Sequence, residues 1–324
     1  MSKRIFWKDY GSLFGLIGIS LVMSLLSDRF LLLPNLVNIA RQVSINAIIA
    51  MGVTLVIITG GIDLSVGSLV ALTGCVAILA MNLPGGDLTG ILAGLAVGAA
   101  AGLLNGVLVA YCAIPPFITT LAMLTMARGT ALVITSGQPI VRFDSPYRWL
   151  GEGQVAGVPV PILIMVLILG FTYFLLRHTP LGSYIYATGG NEEAARLSGV
   201  KVARIKSAVY LIGGFYSGIS GLVLAARLGS AQPNTGEGFE LDAIAAVVLG
   251  GTSLMGGKGT IWGTLIGAFI IGVLNNGFNL LNVSPFYQLI AKGAVIILAV
   301  LLDQFLKRYA VTGVPETSRV MPRR

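Results

Sequence analysis

A loop that binds phosphate and hydrolyses ATP needs glycine, four residues, then Gly-Lys-Ser/Thr. Its backbone N–H groups cradle the phosphates and its hydroxyl holds magnesium. The nearest candidate is Gly257-Lys258, but Gly259 stands where the hydroxyl belongs and Thr252 where the first glycine belongs. ATP hydrolysis by that mechanism is excluded, and neither ATP nor magnesium is expected to bind this chain. His178 is the single histidine, which removes a Ser-His-Asp triad and a multi-histidine metal site. Beside Arg177 at an expected helix end, it reads as an interfacial residue. Cys75 and Cys112 lie in apolar runs and read as small packing residues. No catalytic residue and no metal site is assigned.

Asp63 and Asp242 are the acids near apolar stretches, apart from Asp28 and Asp303 at their edges. Paired carboxylates at membrane depth would be the mark of an intramembrane protease. Asp63 sits in a Gly-rich turn before an apolar run, where its side chain would cap a helix or touch a substrate. Asp242 opens an apolar run and is expected at the membrane interface. Three cations fall inside apolar runs: Arg41, Arg128 and Lys292. Arg128 is the deepest, about eight residues or roughly 12 Å from the end of its run. Such a charge either snorkels and bonds a neighbouring helix or lines a wet path. The amides Asn46, Asn105, Asn275, Asn276 and Asn279 leave a similar choice. They hold helices together, or they line a route for a neutral polyol, which needs polar groups without strong charge. Asn46, Asp63, Ser65, Asn105, Arg128, Asn275 and Asn276 are the candidates for that lining.

The elements that must carry these residues are membrane helices. The 324 residues are 55% hydrophobic and 10% charged, with a mean hydropathy of +0.88; soluble domains run near a quarter charged. So much apolar surface needs a bilayer for solvent. The net charge of +8 does not read as nucleic-acid binding, because Lys and Arg cluster beside apolar stretches instead of forming a basic, aromatic-rich face. Ten stretches are apolar enough to span: about 11–30, 36–58, 66–82, 88–112, 116–136, 160–176, 206–228, 240–256, 261–281 and 286–306. The third and eighth are short, adjoin Gly-rich turns and read equally as broken or re-entrant helices, which leaves eight spans as the alternative. The first stretch lacks a small-x-small cleavage site and reads as a membrane helix, not a signal peptide.

Threading ten spans from an inside N-terminus puts Lys3, Arg4, Lys8, Arg177, Arg196, Lys201, Arg204, Lys206, Lys258, Lys307, Arg308, Arg319, Arg323 and Arg324 inside. Only Arg29, Arg142, Arg148 and Arg227 fall outside. This asymmetry places both ends in the cytoplasm. The expected organisation is an all-α polytopic membrane protein: a cytoplasmic arm 1–10, one membrane domain 11–309 and a disordered tail 310–324. An external loop, about 137–159, carries Arg142, Asp144, Arg148, Trp149 and Glu152; an internal one spans about 177–205. Leu103-Leu104-Asn105-Gly106, followed by Ile114-Pro115-Pro116-Phe117, echoes Leu274-Asn275-Asn276-Gly277, followed by Val283-Ser284-Pro285-Phe286. Repeated halves are a transporter trait, although unequal numbers of spans separate these blocks.

The internal loop predicts a short helix over about 192–198. Asn191 suits the N-cap, Glu192 and Glu193 complement the positive helix end, and Gly199 is a natural stop. Ala194, Ala195 and Leu197 give it an apolar side. So short a helix is marginal alone and makes sense if it docks into something.

Gly190-Asn191-Glu192-Glu193-Ala194-Ala195-Arg196-Leu197-Ser198-Gly199 closely resembles the coupling segment of ribose-type ABC transporter permeases. Thr59-Gly60-Gly61-Ile62-Asp63-Leu64-Ser65-Val66-Gly67-Ser68, Leu241-Asp242-Ala243-Ile244-Ala245-Ala246-Val247-Val248-Leu249-Gly250-Gly251-Thr252-Ser253 and Leu274-Asn275-Asn276-Gly277 extend the likeness across about residues 35–306. The resemblance implies a dimeric permease, expected as a homodimer, in the bacterial inner membrane. It also implies a periplasmic sugar-binding protein that delivers cargo and a cytoplasmic ABC ATPase that supplies energy. Residues Asn191–Gly199 would be the coupling helix, and ribose the first-choice sugar. An ion-gradient-driven transporter is the rival reading, motivated by the membrane acids and the repeat. An intramembrane enzyme is the third, resting only on Asp63 and Asp242.

Overall fold

The computed structural model describes residues 2–142 and 145–311, with side chains described between residues 11 and 301 apart from 143–144, 296 and 299–300. The described chain is mostly helical. In order it forms α1 (Ser2–Leu26), α2 (Leu33–Ile58), α3 (Val66–Ala80), α4 (Gly86–Ala110) and α5 (Pro116–Thr135). A polar connection follows, holding β1 (Ile140–Val141), a 3₁₀ turn (Pro146–Arg148), α6 (Trp149–Glu152), β2 (Gln154–Val155) and β3 (Val158–Pro159). Then come α7 (Val160–His178), α8 (Pro180–Gly190), α9 (Glu192–Leu197), α10 (Val202–Leu228), β4 (Ser230–Ala231), α11 (Phe239–Leu249), α12 (Ile261–Leu280) and α13 (Pro285–Val311).

Each expected span contains a helix, though 27–30 of the first and 250–256 of the eighth are not helical. Among the described residues, six helices, α2, α4, α5, α7, α10 and α12, are long and apolar enough to cross a membrane by length and composition. The two weak stretches are shorter than their apolar runs: α3 has 15 residues and α11 has 11. At 1.5 Å per residue neither helix alone covers a hydrocarbon layer of roughly 30 Å. The internal loop expected at 177–205 is itself mostly helix, and α10 starts at Val202. The tail expected at 310–324 lies outside the described residues from position 312 onward, as does Asp144 of the external loop.

α2 is the central helix. From Ala47 to Ile58 every residue is buried, the pattern of a core helix with no lipid face. Thr54 Oγ1 meets Thr264 Oγ1 at 2.7 Å, and Ser220 Oγ donates to Ile45 O at 3.2 Å. Polar contacts gather at two ends of the bundle. At one end β1 pairs with β4, and Asp87 accepts from Ser145 Oγ at 2.5 Å, Tyr147 N at 3.0 Å and Arg142 at 3.3 Å. Tyr147 donates its hydroxyl to Leu222 O; burial pushes its phenol well above the usual range, keeping it a donor. At the other end Gly257 N donates to Ile58 O at 2.8 Å and Tyr186 Oη to Gly259 O at 2.7 Å. We call these the strand end and the α9 end.

The tightest packing joins α4 to α10. Gly90, Gly94, Gly98, Gly102 and Gly106 recur every fourth residue and, with Asn105 and Val109, make up the buried face of α4. A Cβ on Gly98 would lie 2.6 Å from Gly214 O, and one on Gly106 would lie 2.6 Å from Ser207 Cα. Lipid tails give apolar helices no hydrophobic reason to associate, so close backbone approach between small residues supplies the attraction.

Candidate functional site

Three polar clusters stand inside this bundle among the described residues, and the expected lining residues other than Asn46 are divided among them. Near the α9 end, Asp63 is fully buried in the irregular segment between α2 and α3. It does not cap α3, as its position in sequence predicts. Its Oδ1 accepts instead from Ser65 N at 2.9 Å and Ser65 Oγ at 2.6 Å, a turn closed two residues on. Asn105 of α4 donates to Ser65 Oγ at 3.0 Å, and Tyr210 Oη donates to Ile62 O at 3.1 Å. Asp63 Oδ2 and Asn105 Oδ1 are buried without a hydrogen-bond partner among the described residues.

The second cluster lies where two broken helices meet. The segment 232–238 follows the wall of α3, so that Gly236 and Glu240 press against Gly67. The N-terminal ends of α3 and α11 thus abut inside the bundle, and both Gly67 and Gly236 sit where a side chain would collide with the other strand. Arg128 of α5 ties this junction down, donating to Pro233 O at 2.5 Å and Thr235 O at 2.8 Å. Its partners are backbone carbonyls of the irregular segment before α11, not a neighbouring helix.

The third cluster corrects an expectation. Asp242 is not interfacial: its side chain is 6% exposed and lies 2.9 Å from Lys292 Nζ. Asn275 Nδ2 is 3.5 Å from the same carboxylate. Asn276 and Asn35 exchange side-chain bonds at 2.9 and 3.1 Å beside it. Lys292 therefore fastens α13 to α11 through a buried ion pair. Removing one partner strands the other charge, which costs about 3–5 kcal/mol. Lys292→Met is expected to lower the thermal unfolding temperature of the detergent-purified chain. Asp242→Asn with Lys292→Met should recover most of the loss; a double variant as unstable as the single one would refute the ion-pair account.

Asn46 is half-buried, and its side chain makes no hydrogen bond among the described residues. Asp63 and Asp242 share no hydrogen-bond partner there, and no cluster of three His, Cys, Asp or Glu appears among those residues. Cys75 is buried, whereas Cys112 is exposed just past α4 instead of packed. The two echoed asparagines stand in separate clusters, Asn105 bonded to Ser65 and Asn275 near Asp242.

Outside the bundle, α9 is built as its sequence predicts. Asn191 Oδ1 accepts from Ala194 N at 2.9 Å, capping the helix, and Glu192 and Glu193 occupy its first turn. The stop is a Schellman arrangement: Gly199 takes φ +87, and Val200 N reaches Ala195 O and Gly199 N reaches Arg196 O, each at 3.0 Å. Glu192 pairs with Lys206 at 2.6 Å, and Glu193 pairs with Arg196. The Glu193 bond raises the Arg196 guanidinium above its ordinary range, holding it charged. Ala195 and Leu197 point oppositely: Ala195 is buried against the bundle, and Leu197 is 80% exposed.

A family model described as "Branched-chain amino acid transport system / permease component" matches residues 35–300. The chain belongs to this family of permeases. It is 51% identical over 309 residues to the ribose import permease protein RbsC of Escherichia coli (strain K12), covering 93% of this chain and 96% of the relative. The ribose import permease protein of Bacillus subtilis (strain 168) is also 51% identical, over 297 residues, covering 91% and 92%. The D-allose transport system permease protein of Escherichia coli (strain K12) is 40% identical over 307 residues, covering 94% of each. No solved structure matches the chain.

Proposed function

We propose that this permease is the membrane subunit of an ABC importer that carries ribose from periplasm to cytoplasm across the bacterial inner membrane. The observation that carries the reading is half identity with ribose import permeases over nearly the whole of both chains. Ribose is favoured over allose because the allose relative is more distant, at 40%. ATP hydrolysis belongs to a partner ATPase, whose groove receives α9, and a periplasmic binding protein delivers the sugar. Two copies of the chain form the conduit. The chain crosses ten times with both termini inside, α3 and α11 counting as crossings completed by the irregular segments beside them. The α9 end is then cytoplasmic, in keeping with its cations Arg177, Arg196, Lys201, Arg204 and Lys206.

Proteoliposomes test this directly. The chain alone should show neither ATP hydrolysis nor ribose uptake. Uptake should appear when the ATPase and binding protein are supplied, and Glu193→Lys should depress it by setting a cation at the positive end of α9. Uptake by the chain alone under an ion gradient would replace this reading with a secondary transporter.

A further inference from the structure

Where α4 ends, a cavity of about 370 Å³ opens between Ala110, Tyr111, α9 and the start of α10. Four cations line it, Arg196, Lys201, Arg204 and Lys206, against a single acid, Glu192. Glu192 is engaged by Lys206 and Arg196 by Glu193. Lys201 and Arg204, both exposed, have no ion-pair partner among the described residues. The remaining wall is apolar, with Ala110 and Val200 beside Tyr111, itself 60% exposed. Tyr111 is seven residues beyond Leu104, about two turns, so both lie on one face of α4. Leu104 is 44% exposed, so that face continues from the cavity as an apolar track into the span. A ligand suited to this place is anionic at one end and apolar at the other. A free anion would leave the track unused, and an acidic protein surface would not follow it into the membrane.

We propose that this cavity binds the phosphate headgroup of an anionic phospholipid. Lys201 and Arg204 take the phosphate, and an acyl chain lies along Tyr111 and Leu104. The site needs only that this end of α4 meets a headgroup layer, so it stands or falls separately from the choice of sugar and from ATPase docking.

The test uses the full-length chain in detergent with equal amounts of phosphatidylglycerol and phosphatidylcholine, and counts retained lipids by native mass spectrometry. Phosphatidylglycerol should be retained in preference. Lys201→Gln with Arg204→Gln should cut that retention roughly thirtyfold, the combined attraction of two surface cations to anionic lipid. Arg177→Gln, at the same end but outside the cavity, should leave it unchanged. Inorganic phosphate in excess should displace little of the lipid. Equal retention of both lipids, an unaltered preference in the double variant, or full displacement by inorganic phosphate would each overturn the proposal, the last by showing a site for free phosphate.

Discussion

Replacing Leu197 with glutamate is expected to lower ATP-driven uptake at least tenfold while the chain folds and inserts normally. The side chain is 80% exposed, so its removal takes almost nothing from the fold, where surface substitutions cost roughly 0.5 kcal/mol or less. Under the proposed docking of α9, its worth lies in a partner. An apolar anchor seated in a pocket costs about 2 kcal/mol or more when lost, roughly thirtyfold in affinity, and glutamate adds the expense of burying a charge. Met255, 84% exposed, belongs to the glycine-rich loop whose Gly257 bonds Ile58 at the same end, so Met255→Glu serves as a second probe of that surface. Co-purification of the ATPase with each variant, alongside vesicle uptake, separates lost docking from lost transport. Wild-type uptake in Leu197→Glu would mean that α9 transmits nothing through this face.

α9 was legible because every signal that defines it is local. The cap, the acidic first turn and the glycine stop lie within nine residues, and backbone rules alone connect them. The same holds for the shortness of α3 and α11, marked by the turns at Gly60-Gly61 and Gly250-Gly251. Asp242 was misplaced for the opposite reason. Its counter-ion, Lys292, is fifty positions away, and no periodicity announces that α11 and α13 touch there. Arg128 was visible as a charge at depth, but its acceptors are the carbonyls of Pro233 and Thr235. Carbonyls are present at every residue and so leave no trace in composition. Asn35, the partner of Asn276, carried no signal at all. The candidate lining residues are legible in the sequence as polar groups within apolar stretches, yet what gathers all of them but Asn46 into three separate clusters is tertiary packing.

The glycine row of α4 could have been read, since its spacing of four is a helix face, and it leads to the largest structural effect expected here. Gly102→Val should destroy the folded chain. A Cβ at Gly102 would overlap Tyr210 O and lie 3.0 Å from both Gly214 Cα and N. These are backbone atoms of α10, which cannot swing aside as a side chain would. Overpacking costs about 1–3 kcal/mol where side chains yield, and more where they cannot; here α4 and α10 must separate along their length. That separation also pulls Asn105 from Ser65 and loosens the turn that holds Asp63. The smaller Gly98→Ala change should give a partial loss, because its added carbon sits 2.6 Å from Gly214 O. Gly129→Val in α5 is the control, since nothing lies within 4 Å of a Cβ there and valine is no worse than glycine in a helix. Thermal unfolding in detergent should therefore rank wild type and Gly129→Val together, then Gly98→Ala, then Gly102→Val. If Gly102→Val melted with the wild type, the backbone contact of α4 and α10 would not be what holds the bundle, and the burial of α2 would have to account for it alone.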